Sequence, residues 1–473
     1  MREANQAVER AAEYLNGIPK FSREKHSMED LRTMVRILGA EPEKQKIIHV
    51  AGTNGKGSVC AFLASILREA GYHTAVFTSP HLLSVKERFC FDGTEVSDEI
   101  FLEAYQAVID AVPEFERAGA GHPTYFEYLF LMFMRMLSSY PVDYVILETG
   151  LGGRLDATNC IEHPALSVIT SISLDHMEYL GSTVAVIAGE KAGIIKPGVP
   201  VIYDDTSAEA SEVIWARAKE LGSAAIPVGR DSYEDLNLED GNLRVTAGLQ
   251  ADFAGLQADS AGLQVNSVGL QDKPDRLPLM IPFAAEYQAV NAMLAVRAAQ
   301  QLQIPPQVIA AGIRNTVWPG RMEEILDGVY IDGAHNEGGI REFARAANRM
   351  VNGRAGGRKI LLFAVVSDKE YREMAGILCR EFEPDLLILT QIQYGRGLDI
   401  HTLEKAAREE WNLWLADADV PNRPRELRVI PTVRGALREA VKEKRNEDTV
   451  FCAGSLYFIG EIKEVMKEEN FNE

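Results

Sequence analysis

His49-Val50-Ala51-Gly52-Thr53-Asn54-Gly55-Lys56-Gly57-Ser58 is a glycine-rich turn carrying one lysine and one terminal hydroxyl. It lies between an apolar run (Ile47, Ile48, Val50) and a helical pattern (Val59, Leu63, Ile66, Leu67). A strand that turns into a helix this way aims backbone N–H groups and the positive helix end at one point, which favours a phosphate. Gly52, Thr53, Asn54, Gly55, Lys56, Gly57 and Ser58 are therefore candidate nucleotide-binding residues. Lys56 would bridge the outer phosphates and Ser58 would hold Mg²⁺. The spacing departs from the standard G-x-x-x-x-G-K-[ST] loop. Gly52 and Gly55 are three apart, and Gly57 separates the lysine from the serine.

Outward from this turn, short apolar runs alternate with helical patterns, which predicts an α/β fold with a mainly parallel sheet. Candidate strands are 47–50, 74–78, 144–148, 166–170 and 199–203, with helices at 58–70, 98–116 and 125–137. The run Asp143-Tyr144-Val145-Ile146-Leu147-Glu148 reads as a buried strand ending in a carboxylate. Ligand sites of open α/β sheets lie at such strand ends. A second alternation follows Trp318-Pro319-Gly320-Arg321, with strands expected at 328–331, 360–366, 386–390, 428–430 and 449–452. It predicts a smaller Rossmann-like α/β unit of about 150 residues, with the Trp-Pro-Gly punctuation as hinge. The expected domains are thus 1–317, an ATP-binding P-loop unit, and 318–473. An imperfect seven-residue repeat (247–253, 254–260, 261–267, 268–274) carries a glycine in every unit. That glycine argues against a stable helix, so a surface insertion, an extended hairpin or a mobile loop, is expected there.

The 473 residues exceed one ordinary domain. Apolar residues at 46% and charged residues at 25% are those of a globular protein. No apolar run reaches the roughly 18–20 residues that span a membrane, and the polar, mixed-charge N-terminus is no secretory signal. Five scattered cysteines without C-x-x-C spacing predict a reducing, cytoplasmic compartment and no structural zinc. A net charge of −20 argues against a general nucleic-acid binder. It leaves a phosphate ligand open, because local N–H groups and one lysine suffice for it.

Further stretches agree with the opening turn. They are Thr78-Ser79-Pro80-His81-Leu82, Glu148-Thr149-Gly150-Leu151-Gly152-Gly153-Arg154-Leu155-Asp156-Ala157-Thr158-Asn159 and Ser173-Leu174-Asp175-His176. Glu190-Lys191-Ala192-Gly193-Ile194-Ile195-Lys196, Pro319-Gly320-Arg321 and Asp332-Gly333-Ala334-His335-Asn336 complete the set. Together they resemble the folylpolyglutamate synthase/dihydrofolate synthase family of the Mur ligase superfamily. The resemblance runs in order from about residue 5 to Gly454-Ser455-Leu456-Tyr457, with only the repeat foreign to it.

The resemblance implies an ATP-dependent ligase that adds L-glutamate to dihydropteroate and to reduced folates through an acyl phosphate, acting as a monomer without nucleic-acid or membrane partners. Carboxylate attack on a γ-phosphate brings like charges together, so such a site must neutralise charge and align its partners. Glu148 and His176 match the family's metal ligands, and Ser58 and Ser79 match positions at two Mg²⁺ sites. Lys191 matches the lysine that is carbamylated, which turns a cation into an anionic oxygen ligand. Lys56, Glu148, His176 and Lys191 are the implied catalytic set. Asn291, Arg321, Asp332 and His335 are implied to meet ATP. Phe126, Glu127, Arg154, Leu155 and Asp156 match positions near the pteroate group.

Residue type alone leaves plainer roles open. His176 also reads as a structural loop histidine, since hard oxygen donors suit Mg²⁺ better. Glu148 also reads as a capping or salt-bridge carboxylate, and Lys191 as an ion-paired lysine. Phe126 reads equally as core, and residues 332–336 as a turn before an Asn-capped helix. One departure stands out: Ala284-Ala285-Glu286-Tyr287-Gln288 occupies the place where the family usually has Gly, then Glu-His-Gln. The competing functions are a folylpolyglutamate synthase without the dihydropteroate reaction, a Mur-type cell-wall ligase, a kinase and a non-catalytic P-loop module. The Gly-Leu-Gly-Gly-Arg-Leu-Asp-Ala-Thr-Asn run is folate-type and disfavours the cell-wall ligase, and Glu148, His176 and Lys191 together favour an enzyme.

Overall fold

The computed structural model describes residues 2–19, 26–41, 45–239, 241–249, 276–352, 357–393, 396–416 and 425–468. Three sheets organise them. The first holds β1 (Lys46–Ala51), β2 (Thr74–Phe77), β3 (Phe89–Phe91), β4 (Thr94–Glu95), β5 (Tyr144–Glu148), β6 (Leu166–Ile169), β7 (Val201–Asp204) and β8 (Ala225–Val228). Its order is β4-β3-β2-β5-β1-β6-β7-β8, parallel from β2 through β8 and antiparallel at β3 and β4. β1 and β5 are apolar along most of their length because parallel neighbours and helices cover both their faces. The chain leaves β1 toward β2 on one side and leaves β5 toward β6 on the other. That reversal opens a crevice at the carboxyl ends of the central strands.

A three-stranded antiparallel sheet follows: β9 (Tyr233–Glu239), β10 (Asn242–Gly248) and β11 (Arg276–Ile281). β10 and β11 alternate buried and exposed residues, with one face on the core that contains helix Lys56–Glu69. Phe62 of that helix meets Phe283 edge-to-face at 5.6 Å. The seven-residue repeat lies outside the described residues except for its first three positions, which end β10 and lead out of it.

The third sheet has β12 (Glu323–Leu326), β13 (Val329–Ile331), β14 (Lys359–Phe363), β15 (Leu386–Gln391), β16 (Glu426–Thr432) and β17 (Thr449–Ala453). Their order is β12-β13-β17-β14-β15-β16, parallel except for β12. The α/β fold with a parallel-dominated sheet and a second C-terminal α/β sheet is therefore as the alternation predicts. The sequence reading passed over β3, β4, β8, the small sheet, β12 and the helices Arg2–Gly17 and Met28–Ile37. β3, β4, β8 and β12 are only two to four residues long and β9 is Tyr-Glu-Asp-Leu-Asn-Leu-Glu, so their apolar signal is weak, whereas β10, β11 and the two helices do carry a periodic pattern.

Close helix contact fixes the helix Lys56–Glu69 that follows the glycine-rich loop. Gly312 of helix Pro306–Arg314 has no room for a Cβ, which would lie 2.4 Å from the Ile66 backbone. The Ser65 hydroxyl donates to the Gly312 carbonyl at 2.7 Å.

Candidate active site

The loop after β1 is held from below by the segment after β6. Thr53 N–H donates to the Ser171 carbonyl at 2.8 Å, and the Thr170 hydroxyl donates to the Asn54 carbonyl at 2.7 Å. Gly52 and Gly55 have φ of 153° and 90°, and a Cβ on either would strike Thr170 or Asn291. The extra glycine has a tertiary cause. A Cβ on Gly57 would lie 2.6 Å from the Trp318 ring, so Trp318 rests on the first turn of the loop helix. Gly57→Ala is expected to destabilise the protein by about 1–3 kcal/mol through overpacking. Thermal melts of Gly57→Ala with and without Trp318→Ala check this: the double variant should recover part of the loss, and no recovery would reject the contact as its cause.

At the carboxyl ends of β1 and β5, Lys56 Nζ lies 4.0 Å from Glu148 and donates to the Gly52 and Thr53 carbonyls at 3.1 and 3.2 Å. Glu148 is buried, and burial pushes its carboxyl above the ordinary carboxylate range against the pull of Lys56. Its other oxygen accepts from Ser79 N–H at 3.1 Å. Lys191, at the end of helix Val184–Ala192, is only 3% exposed and donates to the Gly52 carbonyl at 2.7 Å. Burial, aided by the charge of Lys56, lowers its pKa to about 7. His176 takes φ of 50° ahead of a short helix, and burial lowers its pKa. Ser58 is buried and its hydroxyl accepts from the Gln288 amide at 3.2 Å.

The C-terminal sheet supplies the facing wall. Asp332, after β13, is buried and accepts from Tyr287 O–H, Met322 N–H and Ala334 N–H, each at 2.9 Å. His335 binds the Gly333 carbonyl through Nδ1 at 2.8 Å, and burial lowers its pKa to about 4. Arg321 reaches the same turn: a Cβ on Gly333 would lie 2.7 Å from its guanidinium. The two halves are laced together. Asn54 and Asn336 exchange amide hydrogen bonds at 3.0 and 3.1 Å. Asn336 and Lys369 both donate to Asp175, at 2.9 and 2.6 Å. Asn336 also caps helix Glu337–Asn352 through Gly339 N–H at 2.8 Å, which directs the positive end of that helix toward the loop.

Of the residues expected near a pteroate, Phe126 and Asp156 meet at Gly150, while Glu127 and Arg154 have partners of their own. Phe126 packs against Gly150 and, at 5.6 Å, against Phe77. The Glu127 carboxylate accepts from Thr124 N–H and O–H, both at 2.7 Å, and pairs with His26 at 2.8 Å. It thus closes a capping box. Asp156 is buried and gathers the N–H groups of Gly150, Leu151 and Thr158 at 2.8, 2.9 and 3.0 Å, so it shapes the glycine loop. Arg154 pairs with Glu190 at 2.9 Å, and Leu155 is exposed.

The Mur ligase middle domain matches residues 50–299, and the Mur ligase glutamate ligase domain matches residues 320–456. A dihydrofolate synthase/folylpolyglutamate synthase of Bacillus subtilis is 32% identical over 98% of this chain and 99% of its own. The chain belongs to the folylpolyglutamate synthase family of Mur ligases. It is accordingly an ATP-dependent amide ligase. A folylpolyglutamate synthase of Lacticaseibacillus casei is 29% identical over 79% of this chain and 83% of its own. Among solved structures, E. coli FolC in complex with DHPP and ADP is 25% identical, with a TM-score of 0.75 over 98% of each chain. A Mycobacterium tuberculosis folylpolyglutamate synthase complexed with ADP shares the fold, with a TM-score of 0.82 and 24% identity over 98% of this chain and 99% of its own.

Within this ligase fold, Lys56, Glu148 and Lys191 meet at the glycine-rich loop, and Arg321, Asp332 and His335 share the turn after β13. Asn291 supports the loop from beside Gly55. Tyr287, Gln288, Trp318 and Lys369 join this network without a motif that marks them as site residues. Lys369 follows a strand in a Ser-Asp-Lys turn with no distinctive spacing, so only its ion pair with Asp175 exposes it. Among the described residues, no three His, Cys, Asp or Glu side chains converge as a metal cage. Mg²⁺ needs no such cage, since it usually takes one or two carboxylates and completes its shell with phosphates and water. The buried Glu148 carboxylate, next to the Ser58 hydroxyl's helix, has the donor chemistry for that arrangement.

Proposed function

We propose that this ligase adds L-glutamate to dihydropteroate and to reduced folates, and extends the latter as polyglutamates, releasing ADP and phosphate. The observation that carries it is that Lys56, Glu148 and Lys191 gather at the glycine-rich loop while Asn336 and Lys369 of the C-terminal part bond across to Asn54 and Asp175 beside it. A full-length relative named for both activities supports the substrate pair. The two bodies, 1–317 and 318–473, would form the two walls, and one chain supplies every residue invoked, which favours a working monomer. The free cysteines suit the reducing cytoplasm. No described helix is long and apolar enough to cross a membrane.

In this reading the substrate carboxylate attacks the γ-phosphorus, and the bond to the ADP oxygen breaks. The glutamate amine then displaces phosphate from the acyl carbon. Lys56 and the loop N–H groups neutralise the phosphates, and Arg321 approaches from the hinge. Ser58, Ser79, Glu148, His176 and a carbamylated Lys191 would hold two Mg²⁺ ions, which supply charge neutralisation at the transferring phosphoryl group. Phe126, Arg154 and Leu155 would flank the pterin side, with Glu127 and Asp156 fixing the loops around it. His335, neutral at physiological pH, can accept or donate a hydrogen bond without adding charge.

Glutamate-dependent ADP release is the deciding measurement, made with dihydropteroate and then with a reduced folate monoglutamate. Release with both acceptors is expected. Release with the folate alone would leave a folylpolyglutamate synthase only. Release with neither would reject the assignment, and ADP formation independent of glutamate would indicate a kinase.

A further inference from the structure

The position that departs from the family pattern is also the point where the two walls of the site are joined. Tyr287 opens helix Tyr287–Gln301, and its hydroxyl donates to Asp332 Oδ2 at 2.9 Å. The same carboxylate oxygen accepts Met322 N–H at 2.9 Å, just beyond the Trp318–Arg321 hinge. The next residue, Gln288, donates to the Ser58 hydroxyl at 3.2 Å, and its carbonyl oxygen accepts from Asn291 at 3.0 Å. Asn291 in turn lies where a Gly55 side chain would be. Tyr287, Gln288 and Asn291 thus grip the nucleotide loop on one side and the hinge-proximal carboxylate on the other. Gln288, Asp332 and Ser58 are buried and Tyr287 is partly buried, so the acceptor end of the Tyr287 bond and the Gln288–Ser58 bond are shielded from competing water.

We propose that Tyr287 is a positioning residue for the ligase reaction: its phenol ties Asp332 and the hinge to the helix that holds the nucleotide loop, and so sets the two walls in register. This rests on the ligase reading above, in which both walls must meet one nucleotide. The loop keeps its own contacts to Thr170, Ser171 and Gln288 without the phenol. Losing the hydroxyl should therefore spare nucleotide capture and impair the step that needs both walls.

Tyr287→Phe keeps the ring and its packing while removing the donor. It is expected to lower kcat about tenfold, the scale of one lost hydrogen bond to a charged group, with KM for ATP changed less than about twofold. Tyr287→His places the family's usual residue there, but an imidazole is too short to span to Asp332 in this arrangement, so it should behave like Tyr287→Phe. In a cycle with Asp332→Asn, the combined loss should fall short of the sum of the two single losses. The inference is overturned if Tyr287→Phe melts lower but retains parental kcat, if KM for ATP rises while kcat stays, or if the two substitutions are additive. Loss of the parent enzyme's own glutamate-dependent activity would instead reject the ligase reading, so the two failures are distinguishable.

Discussion

Lys191→Ala is expected to lower turnover by about 10²–10³-fold, the scale seen when one preorganised electrostatic group is removed from a transition-state site. The physical case starts with burial. Lys191 is 3% exposed, its amine donates to the Gly52 carbonyl, and no carboxylate lies within ion-pair distance among the described residues. Placing an unpaired ammonium there is costly, which is why the pKa falls to about 7. An amine that is substantially neutral near pH 7 is nucleophilic enough to take up CO₂, and the resulting carbamate supplies anionic oxygens beside Lys56. Rates measured in CO₂-depleted buffer, then after bicarbonate is restored, should fall and recover for the parent enzyme. Full activity in Lys191→Ala would end the carbamate proposal.

Stability gives an independent check. In CO₂-free buffer, the ordinary lysine value of 10.5 applies to the unfolded chain and about 7 to the folded one. The unfolded state therefore binds more protons between those values, so the cost of burying Lys191 is full below about pH 7 and fades as the pH rises toward 10.5. Lys191→Met should melt higher than the parent, by a margin that shrinks from pH 7 to pH 10. A margin that grows with pH would contradict the burial account.

Glu148→Gln should reduce turnover by about 10²–10³-fold with the fold retained, since the amide occupies the carboxylate's volume. Glu148 faces Lys56 at 4.0 Å and accepts from Ser79 N–H at 3.1 Å, so the amide oxygen can keep the second contact but not the charge. If Glu148 serves Mg²⁺, the variant should need far more Mg²⁺ to reach half-maximal rate. Mg²⁺ titrations of parent and variant measure this directly. An unchanged Mg²⁺ requirement would make Glu148 a partner of Lys56 only.

Much of this protein was legible before any tertiary contact was known. The apolar run ending in Glu148 predicts a central strand with its carboxylate at the sheet's active edge, because a strand buried on both faces must be apolar throughout. The Gly52–Ser58 turn predicts the anion-directed loop, because only glycine permits the backbone angles found at Gly52 and Gly55. The alternation after Trp318 predicts a second parallel sheet by the same logic. These features follow from local chemistry and short-range periodicity, which one chain states by itself.

Other features depended on residues far apart in sequence. Gly57 is glycine because Trp318, 261 positions later, lies on it. Glu127, expected beside the pteroate, has its carboxylate taken up by Thr124 and His26. Lys369 has no motif of its own and is tied to the loop region only by its ion pair with Asp175. Tyr287 looked like a departure from pattern, and only packing shows its hydroxyl on Asp332. The sequence determined the two sheets, the loop and the identity of the chemistry-bearing groups, since backbone preference and apolar periodicity are local. The tertiary structure decided which of those groups share a crevice, which are consumed as struts, and how the halves are tied. Hydrogen bonds and burial at those points join side chains that no spacing rule relates.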